Sequence, residues 1–211
     1  MAFDRSLFYI AVQSIARGFL KGCFPITIIN REKLIEEGPA VIVCNHQSFL
    51  DPPLVGCLYT NAIHFLARKS LMDNAILRAA FPYCNVIPID QTRPDPAGIM
   101  SFIRHVRSGN RVLIFPEGSR CDDGQIHDAQ PGIGLILSRI GHDVPVQPIR
   151  IEGAYDCLPI HSNKLKFKPI TISVGDPIPL TEQDFNARGR GAQRALGAKI
   201  MDAIRALPVT V

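Results

Sequence analysis

Ala40-Val41-Ile42-Val43-Cys44, followed at once by Asn45-His46-Gln47-Ser48-Phe49-Leu50-Asp51, decides how this chain is read. The first five residues are continuously apolar and partly β-branched. That is the pattern of a strand buried on both faces, and such strands belong to sheets covered by helices. The polar segment that leaves it carries a His with a carboxylate five positions on. Positions i and i+5 of a helix lie about 140° apart, so these side chains meet only if the segment turns. Ser48, Pro52 and Pro53 favour a turn, because the residue before a Pro is pushed out of the α region. His46 and Asp51 then have the parts of a general base and its orienting partner. The competing reading makes Asp51 the N-cap of a helix that opens at Pro52, with His46 an ordinary strand-end residue. About 0.4 such pairs arise by chance in a chain of this composition, so the pair needs company.

Val112-Leu113-Ile114-Phe115-Pro116-Glu117-Gly118-Ser119-Arg120 supplies it, as a second apolar run that ends in a charged, glycine-containing turn. Two buried strands delivering polar residues at their carboxyl ends is how open α/β sheets build sites. The rest of the chain continues the alternation. Further strands are expected at 26–30, 63–67, 86–90, 144–151 and 170–174. Helices are expected at 53–59, 71–80, 97–107 (stopped by Gly109) and 133–140. One or two more fall over 182–207, where Leu196, Ile200 and Ile204 recur every fourth position. Lys164, Lys166 and Lys168 alternate with Leu165 and Phe167, which predicts an edge strand guarded by charge. The fold class is therefore α/β, a single domain with a central, mainly parallel or mixed sheet flanked by helices. No repeat, low-complexity segment or linker divides the 211 residues, which are enough for one full core.

Apolar residues make up 46% and charged residues 20%, which excludes a disordered chain. The net charge of +4 suits an anionic lipid surface or anionic substrates. With no Trp and no Lys/Arg-rich block, no nucleic-acid partner is expected. The six cysteines include no Cys-x-x-Cys pair and no exported disulfide framework. Cys121 and His127 lack two further ligands at usable spacing, so no metal is expected. Gly132-Ile133-Gly134 fails as a dinucleotide motif because Leu137 stands where the third Gly belongs. No Gly-x-Ser-x-Gly elbow exists, which disfavours an α/β-hydrolase.

At the amino terminus, eleven uncharged residues separate Arg5 from Arg17, far fewer than the roughly 20 that a spanning helix needs. Asp4 and Phe3 suit a signal peptide poorly. Phe8, Val12, Ile15 and Phe19 recur at spacings of four and three, beside Leu7, Ala11 and Ser14. They make an amphipathic helix with cationic ends at Arg5, Arg17 and Lys21. Such a helix either packs on the domain's own core or lies in a lipid interface.

The motifs together resemble the glycerolipid acyltransferase family, which includes 1-acylglycerol-3-phosphate acyltransferases. His46 and Asp51 match its His-x4-Asp block, and Phe115 to Arg120 its Phe-Pro-Glu-Gly-(Ser/Thr)-Arg block. Val86-Ile87-Pro88-Ile89-Asp90 sits where its second block belongs and Val144-Pro145-Val146 where its fourth does, so the likeness spans roughly residues 25–180. The resemblance implies an enzyme that moves a fatty acyl group from acyl-CoA or an acyl carrier protein to the free hydroxyl of a lysophospholipid. The first acceptor to consider is 1-acyl-sn-glycerol-3-phosphate, giving phosphatidate. No cofactor is implied beyond that co-substrate. His46 is then the general base and Asp51 its orienting partner, with Ser48 bonded to backbone rather than acting as a nucleophile. Oxyanion donors come either from the turn around Gly118 or from the start of the helix after Asp51. Glu117, Gly118, Ser119 and Arg120 belong to substrate binding. Arg120 either holds an anionic head group with its planar fork or pairs with Asp122 or Asp123. Glu117 meets the acceptor, holds the turn, or does both.

The second block departs from the family, with Asn85 in place of Gly and Gln91 in place of the Arg that contacts the acceptor phosphate. Arg93 either substitutes from the loop or is merely solvated. The wording Val86 to Thr92 is closer to the branch acting on lysophosphatidylethanolamine, which keeps that acceptor open. A transacylase, an acyltransferase for an amino-acid-containing lipid and a catalytically silent lipid-binding domain are the other readings. The resemblance also favours residues 1–24 as a membrane-interface helix ahead of an acyltransferase domain at 25–211, peripheral or monotopic on the cytoplasmic face. The basic stretch Arg188, Arg190 and Arg194 is the alternative anchor.

Overall fold

The structure, a computed structural model, describes residues 5–93, 95–186 and 189–209. Residues 1–4 of the expected amino-terminal unit, and Arg188 of the basic stretch, lie outside the described residues. Seven strands form one sheet: β1 (Ile26–Ile29), β2 (Ala40–Cys44), β3 (His64–Arg68), β4 (Val86–Ile89), β5 (Arg111–Ile114), β6 (Val146–Glu152) and β7 (Ile170–Val174). Their spatial order is β1-β7-β6-β2-β5-β3-β4. Every pair is parallel except β6 with β7, so the sheet is mixed. The helices are α1 (Arg5–Cys23), α2 (Asp51–Gly56), α3 (Ala75–Ala80), α4 (Pro96–Arg107), α5 (Gly132–Ser138), α6 (Ala154–Cys157), α7 (Glu182–Asn186) and α8 (Arg190–Arg205).

β2 lies in the middle of the sheet with all five residues buried, as its unbroken apolar run requires. Side chains alternate across the sheet, so Ile42 and Cys44 enter the core beneath α1 and α2. Val41 and Val43 enter a second core with α4, α5 and α8. Pro148 sits inside β6 without breaking it. The β7 ladder begins only at Ile149, and the Pro148 carbonyl accepts from Gly175 N on that side at 2.9 Å. The missing N–H therefore falls at a ladder end.

Three expectations are corrected. Residues 164–168 form no strand, because the sheet ends at β1 on that side and this segment crosses α6 instead. Lys166 N donates to Cys157 O at 2.8 Å. The helix expected over 71–80 divides into a 3-10 turn (Lys69–Asp73) and α3, with the extended Asn74 between them accepting from Leu77 N. The helix opening near Pro53 starts at Asp51 and stops at Gly56.

The amino-terminal helix is present, but rotated so that Gln13 and Arg17 face inward, while Ser14 and Lys21 stay exposed. Gln13 Nε2 donates to Gly56 O and Tyr59 O at 2.8 and 3.0 Å, and Arg17 to Cys57 O and Tyr59 O. These side chains satisfy carbonyls that the end of α2 leaves without intrahelical partners. Tyr9, Gln13 and Leu20 are buried, whereas Ile10, Val12, Ile15 and Phe19 are exposed, Ile15 at 73%. Phe8 turns away from that outer face to meet Tyr83, ring centroids 5.0 Å apart. No helix among the described residues is long and apolar enough to cross a membrane.

α5 and α8 cross at Gly134, where an added Cβ would collide with the backbone of Gln193. Gly134→Ala is therefore expected to destabilise the fold by about 1–3 kcal/mol, the usual cost of overpacking. Gly191→Ala in α8, which meets nothing within 4 Å, should be neutral or stabilising. Urea unfolding of both proteins checks this, and equal midpoints would remove the close crossing.

Candidate active site

β2, β5 and β3 are neighbours and run parallel, so their carboxyl ends open together at one edge. Asn45 holds the first of these ends. Its amide donates to Ile151 O and accepts from Ile151 N, both at 2.8 Å. The next residue, His46, turns out of the sheet.

His46 Nδ1 lies 2.8 Å from Asp51 Oδ2. The same oxygen accepts from Gln47 N at 2.6 Å and Ser48 N at 2.7 Å. Asp51 is thus no N-cap; it gathers the turn that its spacing from His46 demands, and it is fully buried. The geometry fixes Nδ1 on the carboxylate. Nε2 has no partner among the described residues, and the ring lines the main cavity. Phe115 clamps the ring plane, stacked at 3.9 Å between centroids and 17°. Ser48 Oγ donates to Leu158 O at 2.8 Å, as a structural hydroxyl would.

The start of α2 offers no oxyanion donors. The N–H groups of Gln47 and Ser48 are committed to Asp51, Pro52 and Pro53 have none, and Leu54 N bonds to Leu50 O. Of the two sources considered from sequence, the turn after β5 remains. There Gly118 has φ 71°, a conformation that excludes most side chains, and an added Cβ would strike Gln130. Ser119 beside it is exposed.

Glu117 faces inward, 4% exposed, with Oε1 accepting from His46 N at 3.2 Å. It stands behind the base, where it holds the turn. Burial pushes its carboxyl up to about 7, against the lowering effect of the His46 bond. An unfolded Glu titrates near about 4.3, so the folded chain keeps a proton that the unfolded chain releases. The resulting stability is complete below that value and is lost as pH rises through about 7. Its size is on the order of 3 kcal/mol. Glu117→Gln should flatten the stability curve between about pH 4.3 and about pH 7, measured by urea unfolding. An unchanged slope would assign it to other groups.

Arg120 makes no pair with Asp122 or Asp123 among the described residues. Its guanidinium carbon lies 3.4 Å from the centre of the exposed Phe49 ring, and Nη1 is buried without a partner. Arg93 also lines the cavity, but it is 79% exposed and tied to Asp90 at 2.9 Å. A residue that sequence reasoning passed over stands closer. Arg68, the last residue of β3, donates from Nε and Nη2 to Gly118 O at 3.0 and 2.6 Å. Its place beside the site shows only once the strand order puts β3 next to β5. The cavity, about 1130 Å³, runs from Val12 and Phe81 beside α1, past His46, to Ile103 and Ile136 on the opposite face of the sheet.

A parallel-sheet crevice with a carboxylate-oriented imidazole and two guanidinium groups is equipped to take up a proton and to hold an anion. A family model described as Acyltransferase matches residues 25–152. The chain belongs to that family and is an O-acyltransferase. The 1-acyl-sn-glycerol-3-phosphate acyltransferase of Bacillus subtilis is 28% identical over 163 residues, covering 76% of each chain. A chloroplastic protein of the same description from Brassica napus is 30% identical over 157 residues, covering 70% of this chain and 43% of its own. The crystal structure of the 1-acyl-sn-glycerophosphate acyltransferase PlsC from Thermotoga maritima superposes with a TM-score of 0.72. It covers all of this chain and 86% of that one, at 19% identity, and so speaks to the fold alone.

Proposed function

We propose that the chain transfers a fatty acyl group from a thioester to the free hydroxyl of a lysophospholipid, with 1-acyl-sn-glycerol-3-phosphate as the acceptor and phosphatidate as the product. The observation that carries this reading is His46, fixed through Nδ1 on Asp51 with Nε2 open to a cavity that Arg68 and Arg120 also line. In this reading Nε2 takes the hydroxyl proton as the alcohol oxygen attacks the thioester carbon. Asp51 steadies the imidazolium, and the N–H groups of Ser119 and Arg120 receive the tetrahedral oxyanion, since Gly118 N already donates to Phe115 O at 3.0 Å. Collapse expels the thiolate, which recovers the proton from His46. The two guanidiniums suit a phosphate monoester.

The exposed apolar face of α1 supports attachment at a membrane surface, with the acceptor entering beside Val12. A second acceptor, lysophosphatidylethanolamine, is favoured by Gln91 and by the engagement of Arg93 with Asp90. The experiment is thiol release by purified protein in vesicles, with matched lyso-lipids. Faster turnover of the phosphate monoester is expected. Faster turnover of the ethanolamine lipid would move the acceptor to the second reading, and no thiol release with any acceptor would end both.

A further inference from the structure

A second groove lies between α5 and the first turns of α8, lined by Pro131, Gly132, Leu135, Arg190, Gln193 and Arg194, with a volume of about 360 Å³. It shares Gly132 and Leu135 with the catalytic cavity, so the two lie side by side. The groove exists because Gly134 brings the α8 backbone against α5. Arg190 and Arg194 are one helical turn apart on the same face, an arrangement that costs a few tenths of a kcal/mol unless an anion answers it. Neither has a carboxylate partner among the described residues. Further along the same helix the cations are paired, Lys199 with Asp184 and Arg205 with Asp128 and Asp202. Arg139, which caps the end of α5 one turn beyond Leu135, lines the catalytic cavity and is likewise without a carboxylate partner among the described residues.

We propose that this groove binds the phosphate-bearing end of a phosphopantetheine thioester, the donor of the transfer reaction proposed above. The assignment rests on that reaction. It follows from reach as well as charge. Gln130 lies against Gly118, and Gln130 N donates to Pro116 O at 2.8 Å. Gly132 is two residues further, at most about 8 Å along the chain. An extended pantetheine arm spans about 15 Å from sulfur to phosphate by standard bond lengths. A thioester carbon beside His46 thus lets the arm follow the turn after β5 and deliver its phosphate to Arg190 and Arg194. Guanidinium forks take phosphate oxygens bidentately. Coenzyme A and an acyl carrier protein both present this group.

The test uses full-length protein in vesicles with three donors of one chain length: the CoA thioester, the carrier-protein thioester and the pantetheine thioester, which has no phosphate. In the Arg190→Ala/Arg194→Ala protein, KM for at least one phosphate-bearing donor should rise about tenfold or more, equivalent to about 1.4 kcal/mol. Acceptor KM, vesicle binding and kcat/KM for the pantetheine thioester should stay unchanged. The donor that responds identifies the source of the phosphate. A uniform change across all three donors, no change in any, or loss of vesicle binding alone would overturn the assignment. With unmodified protein, free CoA or holo carrier protein should inhibit at least tenfold more strongly than pantetheine, and equal inhibition would also overturn it. If unmodified protein transfers from no donor, the reaction itself is refuted. If it transfers and the variant matches it, only the groove is refuted.

Discussion

Purified His46→Ala protein is expected to lose thioester-to-alcohol transfer by about 10²–10⁴-fold, the usual contribution of a positioned general base. Its fold should survive. The imidazole has one polar bond, to Asp51, and the main chain at this point is held independently by Glu117 and by Cys121 N, which donates to His46 O at 2.9 Å. Asp51→Asn should lose transfer by a similar factor for another reason. The amide oxygen can still accept from Nδ1, but the charge that steadies the imidazolium is gone. It should also cost stability, because Oδ2 gathers two N–H groups besides the imidazole. Single-turnover thiol release alongside urea unfolding separates the two effects. Near-normal turnover by folded His46→Ala protein would refute its role as the base.

The second large effect concerns the outer face of α1. Ile10→Ser/Ile15→Ser/Phe19→Ser removes three exposed apolar side chains, each worth roughly 1.5–3 kcal/mol when taken out of water. Partitioning onto vesicles should fall on the order of 10²-fold or more, while stability falls only by what the edge-on contact of Phe19 with Phe24 contributes, about 0.5–1.5 kcal/mol. Phe8→Ser should behave in the opposite way, costing stability through its contact with Tyr83 and sparing attachment. Vesicle flotation reads both. If the triple variant floats like its parent, the membrane contact lies on another surface.

The contrast between Phe8 and Ile10 marks how far the sequence is legible. Periodicity in residues 8–19 establishes an amphipathic helix, but it cannot say which face turns inward. Here that is settled by Gln13 and Arg17, whose partners are carbonyls 40 to 46 residues away. The sheet was legible for a local reason: each buried strand is an apolar run closed by polar residues, and β2 begins and ends where that run does. Lys164 to Lys168 alternates equally well and is no strand, because alternation does not supply a neighbour. At the site, the meeting of His46 with Asp51 follows from spacing and turn chemistry. The inward turn of Glu117 does not, since a carboxylate in a charged loop reads as solvated until its donor is known. Arg68 was illegible for a topological reason. It becomes part of the site only because β3 lies beside β5, and strand order is not written in the strands themselves.

Asn45 carries one more consequence. Its side chain behaves toward β6 as a peptide unit would, giving and receiving one hydrogen bond with Ile151. The ladder between the two strands thus runs one rung further than the β2 backbone does, and the main chain is free to leave the sheet at His46 without orphaning its neighbour. The crevice is opened by impersonation. A carboxylate at this position would face the Ile151 carbonyl with no proton to offer, and an alanine would answer neither group. Asn45 therefore belongs with the site in its intolerance of substitution, although its work is done on the side of the strand turned away from any substrate.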